Sequence, residues 1–116
     1  QQDAAAHAGA RRAADTDWAR IAALYDLLVV AEPGPVTELN RAVAIAMRDG
    51  PAAGLALIEP LSAGPLGEYR FAHAARADLL RRLGRNDEAK AAYRAALALT
   101  QQAAEQRFLE GRIAEL

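Results

Sequence analysis

Leu83-Gly84-Arg85-Asn86-Asp87-Glu88-Ala89-Lys90-Ala91-Ala92-Tyr93-Arg94-Ala95-Ala96-Leu97 reads as the close of one helix and nearly the whole of the next. Gly is the usual residue just past a helix C-terminus, so Gly84 is expected to end the preceding helix. Asn86 is placed to cap the following one, with Asp87 and Glu88 in the first turn, where the helix dipole favours carboxylates. Ala89, Ala92, Tyr93, Ala96 and Leu97 then recur at helical spacing and define a single inward stripe. The stripe is thin, mostly Ala, and a thin stripe lets two helices approach closely.

The same pattern appears twice upstream. Ala77, Ala89, Tyr93 and Ala96 are matched 35 residues earlier by Ala42, Gly54, Ile58 and Leu61, and 33 residues before those by Gly9, Ile21, Tyr25 and Leu28. A period of about 34 residues carrying two helices marks a helical repeat array, in which no unit can bury its apolar face alone and neighbours stack to do so. The fold class predicted is all-α, with about three helix pairs over 2–34, 35–69 and 70–102 and a capping helix over 103–116. The middle unit, with Gly54 and Ile58 in place of Ala and an aromatic, is expected to be the least stable.

Punctuation along the chain supports that division. A first, Ala-rich helix is predicted over 3–14, and a second starts at Thr16 as N-cap and carries Trp18, Ile21, Ala22, Tyr25, Leu28 and Val29 on one stripe. Glu32-Pro33-Gly34-Pro35 ends it. A third helix, about 36–48, is apolar almost all round and is expected to be the most buried. Asp49-Gly50 is a turn, Pro51 restarts a fourth helix, and Pro60 is expected to bend or end it. A fifth helix follows over about 66–83, a sixth from Asn86, and a seventh with Phe108, Leu109, Ile113 and Leu116 inward and Gln106, Arg107, Glu110 and Glu115 outward. No strand-like alternation interrupts this series.

Composition narrows the function classes. Apolar residues make up 53% of the 116, but 31 residues are Ala, so the core is thin and leaves little room for a buried ligand. The net charge of −1 gives no basic footprint for direct nucleic-acid binding. There is no Cys, hence no disulfide framework or thiolate metal site. His7 and His73 lack further ligands at metal-binding spacing, and neither is paired with an acid by local spacing, so no metal, cofactor or catalytic site is expected. The longest apolar stretch, Ile21 to Ala31, is broken by Asp26 and is well short of the ~20 residues a bilayer requires. The chain reads as a cytoplasmic piece that does not contact membrane, and its start within a helical pattern, without Met, suggests a fragment of a longer polypeptide.

The quoted segment 83–97 and the run from Thr16-Asp17-Trp18 through Tyr25, Leu28 and Pro33 resemble the second half of a tetratricopeptide repeat. A narrower resemblance covers nearly the whole chain. Thr16-Asp17-Trp18, Leu24-Tyr25-Asp26, Leu39-Asn40-Arg41-Ala42-Val43-Ala44, Asp49-Gly50-Pro51-Ala52-Ala53-Gly54-Leu55 and Arg76-Ala77-Asp78-Leu79-Leu80 occur in that order. Arg81-Arg82-Leu83-Gly84-Arg85 and Glu105-Gln106-Arg107-Phe108-Leu109 follow. The series is similar to the C-terminal extension of a group of bacterial alternative sigma factors of the extracytoplasmic-function class. The resemblance implies a right-handed tetratricopeptide-like array acting as a regulatory or docking domain. The parent would direct RNA polymerase to promoters, with its two DNA-reading domains outside these residues. The implied partners are proteins: the sigma-factor core domains, RNA polymerase, or a regulator peptide.

In such an array the first helix of each pair lines the concave side. Helical spacing places Val36, Leu39, Val43 and Met47 on one side of the third predicted helix, with Asn40 beside them. The positions 35 residues later are Phe71, Ala74, Asp78 and Arg82. Val36, Leu39, Asn40, Val43, Met47, Phe71, Asp78 and Arg82 are therefore the candidate partner-binding groove, an apolar strip next to a charged one, suited to an amphipathic helix. The alternative is that the last helix simply covers the strip. Arg41 and Arg76 recur at the same 35-residue spacing, which favours a structural role for both over a peptide contact. Trp18 is read as core, Asp17 and Asp26 as cap and solvated face, and Arg81, Arg82 and Arg85 as complements to a helix C-terminus.

Overall fold

The computed structural model describes residues 16–116, so the helix predicted over 3–14 and the Gly9 register position lie outside the described residues. The described residues form six helices and no strand: α1 (Trp18–Ala31), α2 (Pro35–Asp49), α3 (Pro51–Ala63), α4 (Arg70–Arg82), α5 (Asn86–Ala98) and α6 (Ala103–Glu115). Each helix packs on its neighbours in the chain, and the only further contact between described helices joins α2 to α4. The chain is therefore laid out in sequence order, 44 × 32 × 27 Å with a radius of gyration of 15.4 Å, wider than the ~13 Å of a compact domain of about 100 residues.

Local chemistry sets the ends of these elements, and in places differs from expectation. Asp17, not Thr16, caps α1: its carboxylate accepts the Arg20 N–H at 3.1 Å, and a carboxylate is the stronger partner for an unpaired first-turn donor. Pro35 and Pro51 occupy first-turn positions, where a missing N–H costs nothing. Pro60 does not end α3, which continues to Ala63; it lies in the last turn, and the Ser62 hydroxyl donates to the Glu59 carbonyl there at 3.2 Å. The start of α4 is Arg70 rather than Leu66, because the chain turns through Gly64–Glu68 first. Gly84 closes α4 as expected, at φ 76°, with its N–H on the Arg81 carbonyl and the Arg85 N–H on the Leu80 carbonyl. Asn86 is the first helical residue of α5 rather than its cap, and Arg85 stands in the cap position without a side-chain bond to the backbone.

The main core runs through Leu39, Ala42, Ala46, Leu55, Ile58, Leu61, Leu66, Ala72, Ala77, Leu79, Leu80, Ala89, Ala92, Tyr93, Ala96 and Leu109. A smaller cluster, Ala22, Ala44 and Ile45 with Trp18, Ile21, Tyr25 and Ala53 against it, joins α1 to α2. Within it the Trp18 indole Nε1 is buried without an acceptor among the described residues. Ile58 and Leu80 are the largest fully buried side chains, each contributing about 2–3 kcal/mol by burial. Most other core positions are Ala, so close helix contact replaces side-chain bulk. The contact is tightest between α2 and α3. A Cβ at Gly54 would overlap the Ala46 methyl and stand 2.9 Å from the Ala42 carbonyl oxygen, inside van der Waals contact. Gly54, a departure from the repeat pattern in sequence, is thus what the helix spacing requires. Between α4 and α5 the matching residues, Ala77 and Ala89, are both fully buried.

Two expectations about burial change. α2 is two-sided rather than buried all round: Ala44 and Ile45 meet α1 and Leu39, Ala42 and Ala46 join the main core, while Val36, Asn40 and Val43 face outward. On α6 only Leu109 is buried; Phe108 is 60% exposed, because α6 packs on α5 alone and one line of side chains satisfies that contact. Gln106, expected outward, is partly buried and donates its amide to the Thr100 carbonyl at 3.1 Å.

Gly54→Ala tests the close approach. In an isolated helix this change would gain about 1 kcal/mol. Here it should instead cost about 2 kcal/mol through overpacking, read as a lowered urea midpoint with an unchanged m-value. A stabilised variant would show that α2 and α3 are not in backbone contact.

Candidate functional site

Two ion pairs fix how α2 and α4 sit on the helices before them. Arg41 on α2 donates its Nε to Asp26 on α1 at 2.6 Å, and Arg76 on α4 donates to Glu59 on α3 at 3.3 Å. Asp26 and Glu59 are 33 residues apart and Arg41 and Arg76 are 35 apart, so the same bond recurs at the same register in successive pairs. The sequence singled out the two arginines but not their acids; the 33-residue match of Asp26 with Glu59 was the available signal. One register further on, the acid position is Arg94 and the arginine position is Gly111, and the α5–α6 junction lacks this bond. Both pairs are partly solvated, so each contributes on the order of 1 kcal/mol or less and serves mainly to set orientation.

With α2 and α4 held this way, the expected groove residues divide into three groups. Leu39 is not on the groove: it is 3% exposed and belongs to the main core, because the i+3 step from Val36 turns it toward α3. Val36, Asn40 and Val43 remain exposed along α2. Met47, Asp78 and Arg82 come together where α2 touches α4. Arg82 donates one guanidinium N–H to the Met47 sulfur at 3.2 Å and pairs with Asp78 through Nε at 3.1 Å. Asp78 also accepts from Arg81 at 2.5 Å, and Arg81 reaches the hydroxyl of the buried Tyr93 at 3.2 Å. The hydrogen bond to Asp78, then that to Tyr93, holds Arg81 more firmly protonated than an ordinary arginine. This polar cluster closes the α2–α4 junction, leaving the apolar strip to Val36 and Val43.

Phe71 lies apart from these residues, at the N-terminal end of α4. It meets Tyr69 edge-on at 5.5 Å between ring centroids and carries the Arg70 guanidinium 4.4 Å above its ring. It faces a cleft lined by Arg70, Ala74, Ala96, Thr100, Glu105, Phe108 and Leu109. α6 does not reach α2, so the Val36–Val43 strip is not covered by the last helix.

His73 is half-buried with Nε2 2.7 Å from the Gly67 carbonyl, tying the turn before α4 to the helix. Among the described residues no group of acids and histidines is arranged to hold a metal ion, and no helix is long and apolar enough to cross a membrane.

Comparison with known proteins adds one relative. The chain is 45% identical over 106 residues to an uncharacterized protein of Rhizobium meliloti (strain 1021). The match covers 91% of this chain and 25% of that protein, so the chain spans about a quarter of the curated relative's length. No family model and no solved structure matches the sequence.

Core and surface assignments separate under charge substitution. Leu39→Glu should destabilise the chain by about 3 kcal/mol or more, as expected for a charge forced into a core. Val43→Glu, at 36% exposure, should stay within about 1 kcal/mol of the parent chain. Thermal melts followed by circular dichroism read both, and equal losses would remove the distinction between strip and core.

Proposed function

We propose that this chain is the C-terminal protein-interaction and regulatory domain of an alternative sigma factor of the extracytoplasmic-function class, a non-catalytic, cytoplasmic, right-handed tetratricopeptide-like array. α2 with α3 and α4 with α5 are its second and third units, and α6 is its capping helix. What carries the reading is the ordered series of matching segments across nearly the whole sequence, above all Leu39-Asn40-Arg41-Ala42-Val43-Ala44, a run that generic tetratricopeptide repeats do not share. Each residue of that run has a distinct physical role. Leu39 and Ala42 pack against α3, Arg41 binds Asp26, Ala44 meets α1, and Asn40 and Val43 are left on the surface.

Sequential packing and the ion pair repeated at matching register support the array. The exposed Val36–Val43 strip beside the Met47–Asp78–Arg82 cluster suits a protein partner, whether the sigma core, RNA polymerase or a regulator peptide. A net charge of −1 offers little counterion release, so promoter DNA is read by the parent and not by this domain. The second reading, a generic tetratricopeptide scaffold unconnected to transcription, draws on the same array.

Deleting the domain from the full-length parent should change transcriptional output while leaving the set of promoters unchanged, as read by genome-wide mapping of transcript starts. A redistribution among promoters would overturn the regulatory assignment, and a parent lacking a helix-turn-helix region would leave the scaffold reading in its place.

A further inference from the structure

The cleft between α4 and α6 differs from every other helix junction among the described residues. Where α2 and α4 meet, at residues 35 apart, Arg82 on Met47 closes the gap. The next pair at that spacing, Arg70 and Glu105, also bonds, at 2.9 Å, but it bridges helices that do not otherwise pack together. Behind this clasp the junction stays open as a cavity of about 250 Å³, with Ala74, Ala96 and Leu109 in its walls and Phe71 and Phe108 at its sides. Both rings are accessible, Phe71 47% and Phe108 60% exposed.

Size and charge select the occupant. Small-molecule pockets run to about 300–1,000 Å³, and this cavity falls below that range, near the space one large side chain and its contacts fill. Its walls are almost wholly apolar, while guanidinium groups dominate its rim. Arg70 stacks on Phe71, Arg112 lies 5.2 Å from the Phe108 ring centroid, and Arg107 borders the far side of Phe108. Against these three cations stand the carboxylates of Glu105 and Glu115. We propose that this cleft receives one large apolar side chain, Leu or Phe, from a helical segment of a protein partner whose flanking face is acidic. The inference rests on the interaction-domain reading above and assigns that domain a contact separate from the α2 strip.

The test uses the 116-residue chain and two short fluorescent amphipathic peptides with the same leucine stripe, one with a glutamate face and one with a lysine face. The glutamate peptide should bind saturably in an anisotropy titration, and the lysine peptide at least about tenfold more weakly. Phe71→Ala and Phe108→Ala, both at exposed positions, should each weaken the glutamate peptide about tenfold. Ala74→Met, which fills the cavity from inside without removing a contact, should do the same and keeps the test valid if either Phe variant melts early. Equal binding of the two peptides, no binding of the glutamate peptide, or unchanged affinity in the Phe and Ala74 variants would overturn the proposal. These titrations contain no polymerase. Specific peptide binding together with a parent that has no role at promoters would defeat the sigma-factor assignment and leave the cleft standing.

Discussion

The approach of α3 to α2 at Gly54 is the constraint on which the rest of the arrangement depends. With Ala42 and Ala46 opposite, there is no room for even a methyl group, so the two helices meet almost backbone to backbone. A core built mainly from Ala gains little from each side chain and must gain instead from many short contacts at close range. That requirement runs on through Ala77 and Ala89 in the next pair, and leaves larger residues such as Ile58 and Tyr93 to fill the remaining space. Side chains of ordinary core size at these positions would force the helices apart and change the angle at which each pair meets the next.

Much of this is legible in the sequence. The 33- and 35-residue spacings locate the small contact residues, and every one of Ala42, Gly54, Ile58, Leu61, Ala77, Ala89, Tyr93 and Ala96 is buried. Helix boundaries marked by Pro35, Pro51 and Gly84 are also readable, because those residues act through local backbone geometry. Facing is harder. Spacing misplaces Leu39, Phe108 and Gln106 because it gives a stripe but not the direction of the neighbour that the stripe meets, and α6 has one neighbour where α2 has three. Asn86 and Thr16 look like caps by type, yet the cap that forms depends on where the preceding turn delivers the chain.

The groove residues separate for a related reason. Adding 35 to a position finds its counterpart on the next first-position helix, and it does bring Met47 to Arg82. It carries no information on how far α4 leans from α2 along its length. At one end the helices touch and a polar cluster seals them, while at the other Phe71 turns to α6. The recurring Arg41–Asp26 and Arg76–Glu59 bonds make the same point: they join helices from different pairs, so only a comparison of two periods at once would expose them.

That recurrence stops at α6, where Arg94 and Gly111 replace the acid and the arginine. The last helix is held by Leu109, the Arg70–Glu105 clasp and the Gln106 bond to Thr100, without the orienting pair its predecessors have. Helices secured by few contacts open at lower free energy than the body of a protein, so α6 forms the least protected cooperative unit among those described. Anything seated between α4 and α6 touches both and closes that opening. Occupancy of the cleft and ordering of the terminal helix are therefore thermodynamically linked, each strengthening the other by the same factor.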